Sequence, residues 1–552
     1  MPPKSKNFLK PKPKSRVKAQ EPQSENDFLE AADEFEQAAG KWRAGDAAKA
    51  TRFFNRAIDT YNEGLKRYPA SFDLAYNKAN LEYSITEDER IVSQIGSRTA
   101  LLQETLASHR FAISLNPTNT DILFNAAQVL TSLAEASLES GAQEAAKTSA
   151  RALLEEAVDI FTRCLESQQR EYEQMQAEIA KAQASGEYQE AWEGGGVQLN
   201  EAQEQDTTET ASSSSEAPGD WATVEEALTP ETILETCTAQ LGALTTLLGL
   251  YDPSDLANIE KKAHDGTNTA TAKIPALINL IDTTFSAQVK EEPKAGPTLS
   301  IGSSAVEEVI TTPKDDAILA TANFHTTIAE VAYRSGSSDS TQYAQTIEQI
   351  FTKISTSTEA SASSELAVAN IRSSYADALI DLASALADGT QYSSTSPTFP
   401  TDVEIQWTAL NQAQNLLTQL ASAPYTSVLS ASRLADIFLA RGDIDLFRFR
   451  LTLLDIAKPA WVKSKAVLVG NSGVFYRGAR TYAEKAGAVE VRGTADAKAI
   501  VAEVLKEVSS GSQATKPHWK GRSADVAQVL GQMVLEGVIG HENVDAVMRC
   551  VE

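Results

Sequence analysis

The chain has 552 residues, a formal net charge of −26, 42% hydrophobic and only 7% aromatic residues, with the apolar positions mostly Ala and Leu. That length allows two to four domains or one extended solenoid, and the small apolar residues suit close-packed helices better than sheets. The charge excludes nucleic-acid binding by the folded body. Residues 1–20 hold seven cations and no acid, so the rest carries −33 and repels phosphate backbones and anionic membrane.

Three scattered cysteines (Cys164, Cys237, Cys550) and five scattered histidines offer neither a disulfide framework nor metal-ligand spacing, so no metal and no cofactor is expected. No apolar run approaches the length of a membrane span, and the N-terminus lacks a secretory apolar stretch, which places the protein in the cytoplasm, the nucleus or both.

Taken in chain order, residues 1–24 form a Pro/Lys tail that cannot bury a core and is expected to be disordered. Its cations Lys10, Lys12, Lys14, Arg16 and Lys18 fit a nuclear-import or RNA-contacting tail as well as a merely solvated terminus. Residues 25–184 show helical periodicity. A first helix with Phe28, Ala32, Phe35, Ala39 and Trp42 on one face is followed by a turn at 44–46, and a second helix is stopped by Pro69. Further helices are expected at 72–83, 99–115, 121–140 and 143–184, with 84–98 as a polar loop or short insertion. Residues 185–220, rich in Gly, Ser, Thr and acids, read as a disordered linker or insertion.

From 221 to 425 the spacing predicts irregular helical hairpins: helical periodicity resumes at about Trp221 or Thr229 and continues through Tyr251, with further helices at 253–264, 273–289, 314–335, 339–356, 363–388 and 401–421. The last segment, 426–552, is expected to hold helices at 426–440, 443–457 and 459–467 and one from 524 to 538. The Gly-containing run 467–479 lacks phosphate-loop spacing and reads as a helix–helix turn built on Asn471, Ser472 and Gly473.

Three N-terminal segments align on one another. Ala57, Tyr61, Gly64, Leu65 and Pro69 give a small–aromatic–small–Leu–Pro pattern; Ala112, Ile113, Leu115 and Pro117 repeat its second half, and Ala157, Phe161, Cys164 and Leu165 its first. Tyr76-Asn77 and Phe124-Asn125 each stand seven residues after a proline. Leu434, Ala435, Phe438, Gly442 and Asp443 have the form of a first helix ending in a Gly-Asp turn. This pattern resembles the tetratricopeptide (TPR) repeat family. The resemblance implies an all-α fold of helical hairpins stacked as a right-handed superhelix.

It also implies a groove lined by first-helix residues, here Tyr76, Asn77, Phe124 and Asn125, that binds another protein; no enzyme activity is implied. The Lys/Asn/Arg clamp by which some TPR domains hold acidic chaperone tails is matched only at Asn77. The favoured expectation is therefore a scaffold or adaptor that escorts a basic client, such as a ribosomal protein. A structural subunit of a larger complex is the alternative, with a heat-shock co-chaperone behind it.

Overall fold

The structure is a computed structural model that describes residues 22–139, 144–185, 228–288, 311–360, 364–389, 392–511, 516, 519 and 521–551. Among the described residues it is all-α, without a strand. Apart from 22–24 and 185, the expected tail and the acidic insertion lie outside them. The helices fall into two compact units, Met1–Ile160 and Phe161–Glu552.

In the first unit α1 (Glu25–Arg43) starts at a reciprocal cap: Ser24 Oγ accepts from Asp27 N and an Asp27 carboxylate oxygen accepts from Ser24 N. The same carboxylate also takes Gln23 N at 2.8 Å, and these backbone donors hold Asp27 below the ordinary carboxyl range. A short turn ends α1, and Asp46 caps α2 (Ala47–Arg67). Then come α3 (Phe72–Thr86), capped by Ser71, α4 (Glu89–Ile95), α5 (Arg98–Leu115), α6 (Thr120–Glu139) and α7 (Glu144–Ser185), whose residues from Phe161 onward belong to the second unit.

The small residues of the repeat do sit at helix crossings. Ala57 is fully buried, and a Cβ on Gly64 would stand 3.0 Å from Leu74 and 3.1 Å from Phe28. The 84–98 stretch is more ordered than a polar loop. Ile91 and Val92 are buried, so it folds as α4, capped by Asp88, which also pairs with Arg43 at 3.0 Å.

After the end of α7, the second unit continues with α8 (Pro230–Leu250). By length and composition α8 is apolar enough to cross a membrane, contrary to the expectation that no apolar run approaches that length. Here Leu234, Leu241, Leu244 and Leu247 are fully buried, the pattern of a core helix. The segments expected at 253–264 and 273–289 form one rod: α9 (Leu256–Asn268), a π turn (Thr269–Lys273) and α10 (Ile274–Gln288). Pro275 accounts for the π turn, because it lacks an N–H and its ring crowds the preceding turn of an α-helix. Next are α11 (Pro313–Arg334), α12 (Ser340–Ala360), α13 (Glu365–Asp388), α14 (Phe399–Leu420), α15 (Ala431–Leu451), α16 (Pro459–Ala486), α17 (Val489–Ser509), α18 (Ser523–Leu535) and α19 (His541–Val551). One continuous apolar core runs from α11 to α19, with each of α11 to α17 packed on the next.

Two turns read from glycine are corrected here. Helix α15 runs straight through Gly442-Asp443, and α16 straight through 467–479. The glycines serve close approach instead. A Cβ on Gly442 would lie 2.4 Å from the Tyr476 ring, and one on Gly478 2.6 Å from Phe438. Each helix thus gives up a side chain where the other inserts an aromatic. The chain does turn at Gly487, whose φ of 75° ends α16 in the left-handed conformation that glycine adopts freely. Gly442→Ala is expected to lower stability by about 2 kcal/mol through overpacking. An unchanged denaturant midpoint would show that the Tyr476 ring can move aside.

Candidate partner-binding site

In the first unit, Tyr76 and Asn77 lie on α3, Phe124 and Asn125 on α6, and all four are half-buried. The Tyr76 ring stands 5.5 Å from Phe72 and packs against Ala75, Ala79, Ala112 and Ile122. Burial raises its hydroxyl above the ordinary range, countered by a hydrogen bond with Asn80. Asn80 Oδ1 in turn accepts from Asn125 Nδ2 at 2.9 Å. The structure therefore brings Tyr76 and Asn125 together through Asn80. Asn77 stays apart, its amide donating to the Asp73 carbonyl of its own helix at 2.9 Å. Asn80 escaped the sequence reading because the aromatic-Asn-x-Ala pattern stops one residue short of it; its spacing of four from Tyr76 was the available signal. The tail residues Lys10, Lys12, Lys14, Arg16 and Lys18 lie outside the described residues.

The second unit holds a feature that the sequence reading did not single out. Helix α13 buries Ala376, Leu379, Leu382, Ala383 and Leu386 on its packed faces. Its remaining stripe (Asn370, Ser374, Asp377, Asp381, Ser384, Asp388) recurs at three- and four-residue steps and is polar throughout. Asp377 and Asp381 are exposed on this stripe, although neighbouring protein partly desolvates both carboxyls. Burial pushes Asp377 up to about 6, with Arg433 opposing and Asp436 adding to the rise. It pushes Asp381 up to about 7, reinforced by Glu330, Asp377 and Glu536 and opposed by Arg334. Asp436 on α15 is raised as well, by burial.

Five carboxylates thus face two guanidiniums across α11, α13, α15 and the end of α18. Arg334 is already engaged, with Nε 2.7 Å from Glu330 and Nη1 3.0 Å from Asp388. Among the described residues no three His, Cys, Asp or Glu side chains converge closely enough to hold a metal ion. The recess offers spread negative charge, suited to an extended cation.

No family model matches the chain. UPF0656 protein C926.02 of Schizosaccharomyces pombe is 31% identical over 110 residues, 20% of this chain. The match spans 24% of that protein's own length. Among solved structures, a circular tandem repeat protein with novel repeat topology and enhanced subunit contact surfaces aligns over 96% of this chain and 97% of its own, with 12% identity and a TM-score of 0.28. At that score the two need share nothing beyond helical content.

Proposed function

We propose that the protein is a TPR-like binding scaffold that takes up a basic segment of a client protein, with the α13 recess as the receiving surface. The observation that carries this reading is the exposed acidic stripe of α13, where Asp377 and Asp381 lie among Glu330, Asp436 and Glu536 with Arg334 and Arg433 as the neighbouring cations. A client's Lys/Arg-rich segment supplies those cations. Such a segment would otherwise bind RNA indiscriminately, which makes a newly made nucleic-acid-binding protein, such as a ribosomal protein, the fitting client in the cytoplasm or nucleus. The polar cluster of Tyr76, Asn80 and Asn125 on α3 and α6 supplies neutral contacts in the first unit.

The test is fluorescence anisotropy of a labelled Lys/Arg/Gly peptide with the full chain between 50 and 300 mM salt. Affinity is expected to fall by about tenfold or more, as for charge-led association. Affinity that holds steady across that range would point to an apolar assembly contact, and so to a structural subunit.

A further inference from the structure

In this acidic chain α16 stands out as basic, with five Lys and Arg against the single acid Glu484 over its 28 residues. It packs between α15 and α17 and leaves one face open. On that face Lys463, Val467, Gly470, Val474, Thr481 and Lys485 follow one another at steps of four, three, four, seven and four. This is the spacing of a seam that another helix covers. Val467 is 60% exposed and Val474 56%, among the most exposed large apolar side chains of the molecule. A Cβ on Gly470 would meet nothing within 4 Å, so among the described residues nothing covers the middle of the seam. Arg477 and Arg480, at its edge, are tied to Glu503 and to Glu484 and Asp496. Lys463 and Lys485, at the two ends, are exposed and stand in none of the ion pairs of this helix among the described residues, and Lys485 lies 4.9 Å from the Tyr482 ring.

We infer that this face docks an amphipathic helix of another protein, one with an apolar stripe and acidic residues toward both ends. The seam fixes the spacing. Lys463 and Lys485 lie 22 residues apart, about 33 Å at the helical rise, so the partner helix needs about six turns between its acidic ends. A second copy of this chain is the wrong occupant. Antiparallel pairing centred on Val474 would set Lys463 against Lys485, and parallel pairing in register would set each lysine against itself; like charges across a helix seam disfavour both. An anionic membrane suits the face less well, because the whole chain carries −26. The surface is opposite in charge to the α13 recess and stands independently of it. Together the two would let one scaffold hold a basic client and an acidic helical partner at once.

The probe is a labelled 25-residue helical peptide with Leu along its seam and Glu at both ends, titrated into the full-length protein and read by anisotropy. Two control peptides carry Lys at the ends, or Ser in place of Leu. The Glu-ended peptide is expected to bind at least tenfold more tightly than either control. Val467→Ser with Val474→Ser should weaken it about tenfold. Lys463→Glu with Lys485→Glu should abolish that preference and create binding to the Lys-ended peptide, a gain that loss of folding would not produce. Unchanged binding of the Glu-ended peptide by both variants overturns the inference. So does binding of wild type to phosphatidylserine vesicles that the valine variant loses, which would assign the face to membrane. A dimer in sedimentation that the valine variant dissociates would assign it to self-association, and equally overturns the inference.

Discussion

Lys498→Met is expected to lower the stability of the second unit by about 3 kcal/mol or more, the scale of removing one partner from a buried ion pair. Lys498 on α17 is 8% exposed, and its ammonium lies 2.9 and 2.8 Å from the two carboxylate oxygens of Asp443 on α15. The Tyr476 hydroxyl of α16 donates to the same carboxylate at 2.8 Å. Burial, then the Asp443 charge, raises that hydroxyl far above the ordinary phenol range, so it remains a neutral donor. Without Lys498 the carboxylate would face the apolar core with one neutral partner, and desolvation would dominate. Adding Asp443→Asn should recover most of the loss, because an amide oxygen still accepts from Tyr476 and carries no charge. Urea midpoints of the single and double variants decide it. A single variant within about 1 kcal/mol of wild type would mean the lysine is effectively solvated, at the value of a surface pair.

This trio also marks where sequence reading succeeded and where it stopped. Helix boundaries with local chemistry were legible: Pro69 and Pro117 stop helices, the turn at 44–46 ends one, and Ala57 and Gly64 sit where two helices cross. Glycine was the ambiguous letter. Before Asp443 and around Ser472 it has the local signature of a turn, but what decides its role is an aromatic on another helix, Tyr476 for Gly442 and Phe438 for Gly478. No local pattern carries that information. Helix α19 went unread for a related reason, since its burial depends on Val547 and Val551 meeting a core assembled from distant segments.

The acidic recess was half legible. The polar stripe of α13 is readable from spacing alone, whereas its convergence with Glu330, Asp436 and Glu536 exists only once α11, α15 and α18 are packed. Net charge suggests a basic partner for the proposed function without naming any residue that would meet it. The Tyr76–Asn80–Asn125 link likewise needs α3 and α6 side by side.

Replacing Asp377 and Asp381 by Asn should move binding and stability in opposite directions. Both carboxyls have folded-state values above the ordinary 3.8, at about 6 and about 7. The folded protein therefore holds these protons more tightly than the unfolded chain does. The stability contributed by the protonated forms is complete below about pH 4 and is lost as pH rises through 6 and 7. At pH 8 both groups are ionised in a recess that they share with Glu330, Asp436 and Glu536, against Arg334 and Arg433. Removing the two charges should raise Tm there by about 2 °C, a modest gain because solvent reaches both side chains. The gain should shrink to nothing near pH 4. Over the same substitution, affinity for the Lys/Arg/Gly peptide at pH 8 and low salt should fall about tenfold, while neutralising Asp33 and Glu34 on the exposed side of α1 leaves it within about twofold. Opposite signs would identify carboxylates retained for binding at the expense of stability, as strained functional groups are. Equal loss of affinity from the α1 substitutions would reduce the recess to one part of a diffuse negative field, and an unaltered Tm at pH 8 would remove the physical basis for singling it out.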